Sequence, residues 1–150
     1  MSIEELLREL REDRVHGASW YFLRGIDVIK LAIENKLSIN DIKALLNELR
    51  SVRPGMASIM NLTSIIEDAI NMDLDLNDII NRLKNLYEEV SKRLMAQLDR
   101  YPIRCGSRVM TISYSSAIKA ALSRWGKCLI RYISWSRDRV MRFLKPLRIT

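Results

Sequence analysis

A chain of 150 residues is one ordinary domain by length, large enough to bury roughly 70% of the surface its unfolded form exposes. Hydrophobic residues at 48% and charged residues at 29% exclude a disordered or low-complexity chain, and no apolar run approaches the roughly 18 residues a spanning helix needs. The charge of +7 is uneven: residues 101–150 hold eleven Lys or Arg against one acid, Asp138, so this third carries +10 and residues 1–100 carry −3.

The start, MSIEELLREL, is acidic where a signal peptide is basic and then apolar. The expectation is a soluble, cytoplasmic protein. Residues 2–12 place Ile3, Leu6, Leu7 and Leu10 at helical spacing, with acids in the first turn where the helix dipole favours them. Gly17 interrupts the pattern. From Ala18 to Asn35 a stripe of Phe22, Leu23, Ile26, Ile29 and Ile33 predicts a long second helix. Ser38 caps a third, with Asp41 in the capping-box position and Ile42, Leu45, Leu46 and Leu49 on its apolar side, and Pro54 ends it. Residues 55–72 are apolar enough to sit centrally in a helical layer. Asp75 and Asp78 open a fifth helix to about Leu98, with Leu83, Leu86, Val90 and Leu94 spaced for packing. Five helices with short connections predict a subdomain of antiparallel neighbours, residues 1–102.

The period changes after Pro102. RVMTIS (108–113) reads as a strand, Ser115 to Trp125 as a helix, Gly126 as its C-terminal cap and KCLIRYIS (127–134) as a second strand. Such a βαβ unit has parallel strands and a right-handed crossover. Residues 103–150 thus read as an α/β unit with a basic C-terminal segment. Val140, Met141, Phe143 and Leu144 have the spacing of a short amphipathic terminal helix. Cys105 and Cys128 lack CxxC spacing and have one histidine to help them, so no metal site is expected and both read as reduced, buried thiols. The basic block raises nucleic-acid binding as a function. Its arginines are interleaved with Trp, Tyr, Ile and Leu, however, and not clustered into a tail, and a solvated face accounts for most such patterns.

Three phrases carry a more specific signal: DRVHGAS from Asp13, SVRPGM from Ser51 and RVMTISYSSA from Arg108. In this order and at these intervals they resemble the alpha/beta/delta regulatory subunits of eukaryotic initiation factor 2B. They resemble also the related isomerases acting on ribose 1,5-bisphosphate and methylthioribose 1-phosphate, although MTISYSS is closer to the version in the regulatory subunits, which also lack the isomerases' cysteine. The resemblance covers about Arg8 to Arg137, the N-terminal half of such proteins. It implies that the α/β unit is the entrance to a Rossmann-like domain, truncated here. The fold class expected is therefore mainly α: five helices followed by a truncated Rossmann-like βαβ unit. Beyond Arg137 the likeness stops, which a shortened gene or a dedicated short form would explain equally.

Ligand chemistry in an open α/β unit gathers beyond the carboxyl ends of the strands, and helix N-termini attract anions. Ser113, Ser115 and Ser116 lie there, and the plainer reading makes Ser115 an N-cap and its neighbours turn residues. The resemblance places the isomerases' catalytic cysteine at Ser113, and puts their partner aspartate in a region beyond this chain. It places their two phosphate-binding arginines at His16 and Arg53, of which only Arg53 remains an arginine. Arg53 precedes Pro54 and is pushed towards extended backbone at a helix end. His16 lacks the bidentate fork of a guanidinium. Candidate phosphate-binding residues are thus Arg53, Ser113, Ser115, Ser116 and His16, with no catalytic residue and no cofactor. The function implied is a translation-initiation-related regulatory or binding protein, non-catalytic. Its partners would be further copies of itself, initiation factor 2 components, and a sugar phosphate or nucleotide monophosphate. The alternative is a sugar-phosphate isomerase or its remnant.

Overall fold

The computed structural model describes residues 1–112, 115–136 and 139–144. It is mainly helical, with two compact units, Met1–Tyr87 and Glu88–Thr150.

In the first unit, α1 (Ile3–Glu12) opens on a capping box. The Ser2 hydroxyl accepts from the Glu5 N–H at 3.1 Å, and the Glu5 carboxylate accepts from the Ser2 N–H at 2.7 Å. It buries Leu6, Leu7 and Leu10. α2 (Ala18–Glu34) runs through the core and buries Tyr21, Gly25, Ile26, Val28, Ile29 and Ala32. This face is rotated from the one that bulky residues alone suggest. Gly25 and Ala32 lie on it and let neighbours in: a Cβ at Gly25 would stand 2.7 Å from Leu62 Cδ2 and 3.2 Å from Ile59 Cδ1.

α3 (Ile39–Val52) has the predicted Ser38 cap, accepting from the Asp41 N–H at 3.2 Å, and buries Ile42, Leu45, Leu46 and Leu49. α4 (Ala57–Asn71) packs Ile59, Leu62, Ile66 and Ala69 inward. Its one fully buried polar side chain, Thr63, donates to the Ile59 carbonyl and accepts from Arg50 Nε, both at 3.0 Å, so it costs little. α2 and α4 end alike. Lys36 and Asp73 adopt left-handed backbone at φ 55° and 53°. The following N–H groups of Leu37 and Leu74 reach back to the Ala32 and Ala69 carbonyls, the Schellman pattern.

α5 (Leu76–Arg100) begins where Asp75 Oδ1 accepts from the Asn77 N–H at 2.8 Å, and the division between the units falls inside it. Leu86 and Val90, spaced for packing, are each 56% exposed. Periodicity marks a face without saying whether a layer covers it.

In the second unit, β1 (Ser107–Ile112), α6 (Ser116–Trp125), a 3₁₀ turn (Gly126–Cys128), β2 (Leu129–Ser136) and β3 (Arg139–Leu144) form a three-stranded sheet in that order. β1 and β2 are parallel and β3 is antiparallel to β2. The Arg124 guanidinium pairs with Asp99, and the Trp125 ring N–H donates to the Leu98 carbonyl at 3.4 Å. Two expectations fail here. Residues 139–144 form a strand, not a terminal helix, because β2 otherwise leaves a row of backbone groups without partners along its edge. Cys105 and Cys128 are joined in a disulfide and are not buried thiols: Cys105 is exposed and Cys128 half-buried. The neighbouring backbone explains their approach, since the Gly106 N–H donates to the Cys128 carbonyl at 2.9 Å.

Candidate functional site

The turn between α1 and α2 is organised by Asp13, the C-terminal cap of α1. Its carboxylate, 8% exposed, accepts from the Val15 N–H at 3.3 Å and the His16 N–H at 3.0 Å. The His16 ring Nδ1 lies 2.6 Å from Oδ1. Burial works to raise the Asp13 carboxyl; the hydrogen bonds from the His16 ring, the two backbone N–H groups and Tyr21 outweigh it and hold the group below its ordinary value.

The carbonyl of Asp13 is as heavily used as the side chain. It accepts from Tyr21 Oη at 3.2 Å, Arg53 Nη2 at 3.2 Å and Arg14 Nη1 at 2.7 Å. Arg53 Nε also donates to Tyr21 Oη at 3.0 Å, and its guanidinium carbon stands 5.3 Å from the Tyr21 ring centre. Tyr21 is fully buried, and that burial pushes its phenol up while the Arg53 bond opposes the shift. Arg53 thus projects from the C-cap of α3 and ties α3 to α2 and to the α1–α2 turn. His16 is 46% exposed and stacks on Trp20 at 4.3 Å between ring centres, with Arg24 over Trp20 at 5.8 Å.

His16 and Arg53 are therefore brought to one cluster, both bonded to Asp13. Ser115 lies in the other unit as the N-cap of α6, its hydroxyl accepting from the Ile118 N–H at 3.3 Å, which is the plainer of its two readings. Ser116 is exposed in the first turn of that helix. Ser113 lies outside the described residues. The sequence reading missed Asp13 and Tyr21. Asp13 had a signal, an Asx residue three before a histidine at a helix end. Tyr21 had none, since a tyrosine beside Trp20 and Phe22 looks like any member of an aromatic run. Among the described residues no cluster of His, Cys, Asp or Glu could hold a metal ion.

No family model matches the chain. It is similar to two proteins named translation initiation factor eIF-2B subunit 2-like. The Pyrococcus horikoshii protein is 31% identical over 117 residues, 76% of this chain and 42% of that one. The Pyrococcus abyssi protein is 30% identical over 118 residues, with the same shares. The crystal structure of Pyrococcus horikoshii OT3 translation initiation factor eIF-2B superposes with a TM-score of 0.62 at 27% identity, covering 82% of this chain and 45% of the other. The chain thus spans less than half the length of the curated relatives it matches.

Proposed function

We propose that this chain, which is similar over about three quarters of its length to the eIF-2B subunit 2-like proteins, serves as a translation-initiation-related regulatory subunit, a binding protein acting in the cytoplasm without chemistry of its own. The observation that carries this reading is the use made of His16 and Arg53. The carboxylate that holds His16 and the phenol and carbonyl that hold Arg53 make a structural knot between three helices. Neither side chain is paired with a nucleophile there. A hydroxyl at Ser113 lacks a thiol's acidity, so the position of the isomerases' cysteine offers a weaker nucleophile. In this reading β1, α6 and β2 open a Rossmann-like domain, copies of the chain associate through that sheet, and components of initiation factor 2 are the partners.

The alternative, a sugar-phosphate isomerase or its remnant, is favoured by one observation: the two positions that the resemblance assigns to phosphate do converge at Asp13. Incubation with ribose 1,5-bisphosphate and methylthioribose 1-phosphate separates the readings. The binding subunit gives no product above background, from the native chain or from Ser113→Cys. Product from either makes it an enzyme. Isothermal titration with the same compounds tests the weaker claim of a phosphate site, where Arg53→Ala should lower affinity several-fold.

A further inference from the structure

Each unit carries an uncovered patch. In the first, the end of α4 and the turn into α5 expose Met72 at 69% and Leu74 at 48%. Asp68, Asp73, Asp75 and Asp78 are exposed around them. No Lys or Arg occurs between Arg53 and Arg82. Lys43 does reach this end of α4, and its ammonium donates to Asn71 at 3.4 Å. Asp75 and Asp78 have local roles at the start of α5, where the helix dipole favours acids. Asp68 and Asp73 do not. Asp68 stands one turn from the end of α4, where the dipole disfavours an acid, and Asp73 holds a positive φ that glycine adopts at less cost. Two exposed apolar side chains thus share a corner with two acids that local structure works against.

The second patch is on β1. Arg108 and Met110 are exposed, Met110 at 72%, while Val109 and Thr111 are half-buried, so one side of the strand is open. The parallel register sets Arg131 beside Arg108 and Ile133 beside Met110. Stacking two such sheet faces on each other would bring arginine positions of like charge together. An acidic, apolar surface suits this one better.

We infer that the open face of β1 in one copy docks on the Met72–Leu74 corner of a second copy, with Arg108 meeting Asp68 and Asp73 and Met110 meeting the two apolar side chains. The occupant follows from charge: residues 101–150 carry +10 and residues 1–100 carry −3, so the chain bears both signs of the contact. Made reciprocally, the contact closes a two-fold dimer; made once per copy, it continues head to tail. The inference rests on the binding-subunit reading and names the surfaces by which its copies meet.

Sedimentation velocity on the full chain tests it, at about 50 mM and about 500 mM salt. Association is expected at low salt and weakened at high salt. Asp68→Lys with Asp73→Lys, and separately Arg108→Glu, should each weaken it about tenfold or more. The two variants mixed together should associate again. Lysine is tolerated in left-handed backbone in this protein at Lys36, and melting curves identify any variant that fails to fold. Should Arg108→Glu fail to fold, Met110→Ser takes its place as the β1 variant, with the same weakening expected. A wild-type monomer at both salts overturns the inference, as do variants that do not recover on mixing. Association that survives the aspartate reversals and is lost with Met110→Ser means that the sheet face pairs with its own kind. Self-association then stands and this contact does not. Turnover of the sugar phosphates, by contrast, removes the binding-subunit reading itself.

Discussion

At φ 55° and 53°, Lys36 and Asp73 hold the left-handed conformation that closes α2 and α4. An L side chain there crowds its own backbone, and glycine does not. Lys36→Gly should therefore raise stability by up to about 1 kcal/mol despite glycine's greater freedom in the unfolded chain, read as a higher urea midpoint at unchanged slope. Asp13 makes a prediction in pH. Its carboxyl lies below the ordinary 3.8 in the folded chain, so its contribution is fully present above that value and is lost as pH falls through the folded value. Acid unfolding of the wild type should begin as pH drops below about 4, and Asp13→Asn should remove that part of the pH dependence while lowering stability at neutral pH. An Asn variant with an unchanged acid limb would mean that other carboxylates govern it.

At the scale of elements, α2 and α4 meet where Gly25 leaves room for Leu62 and Ile59. Gly25→Ala gains helix propensity, but its methyl group enters space that Leu62 occupies, and overpacking costs about 1–3 kcal/mol. A lowered melting temperature is the expected outcome. The disulfide between Cys105 and Cys128 closes 23 residues of sequence separation and should stabilise the second unit by roughly 3 kcal/mol through loop closure. A thiol assay on unfolded, unreduced protein should find no free thiol, and two after reduction. Two thiols without reductant would show the bridge unformed. The five helices were legible because caps and periodicity are local: Ser38 and Asp75 each act within a few residues of themselves. What was not legible depended on distant partners. Residues 140–144 carry a pattern that fits a helix, and only the free edge of β2 makes them a strand. Cys105 and Cys128 are brought together by strand pairing. Arg53 could be read as a cation at a helix end, whereas its attachment to Tyr21 and the Asp13 carbonyl needed the crossing of three helices.

At the scale of the molecule, α5 has 25 residues, and the division between the two compact units falls within it. Its hydrogen bonds run without interruption across the division at Tyr87. Neither unit can open completely without fraying a helix that the other needs, and helix formation is cooperative across such a junction. The amides around Leu86 to Val90 should thus exchange with deuterium at a rate set by whichever unit opens more readily. Residue-by-residue exchange along α5 checks this: protection that changes abruptly at Tyr87 would show that the two halves of the helix open independently.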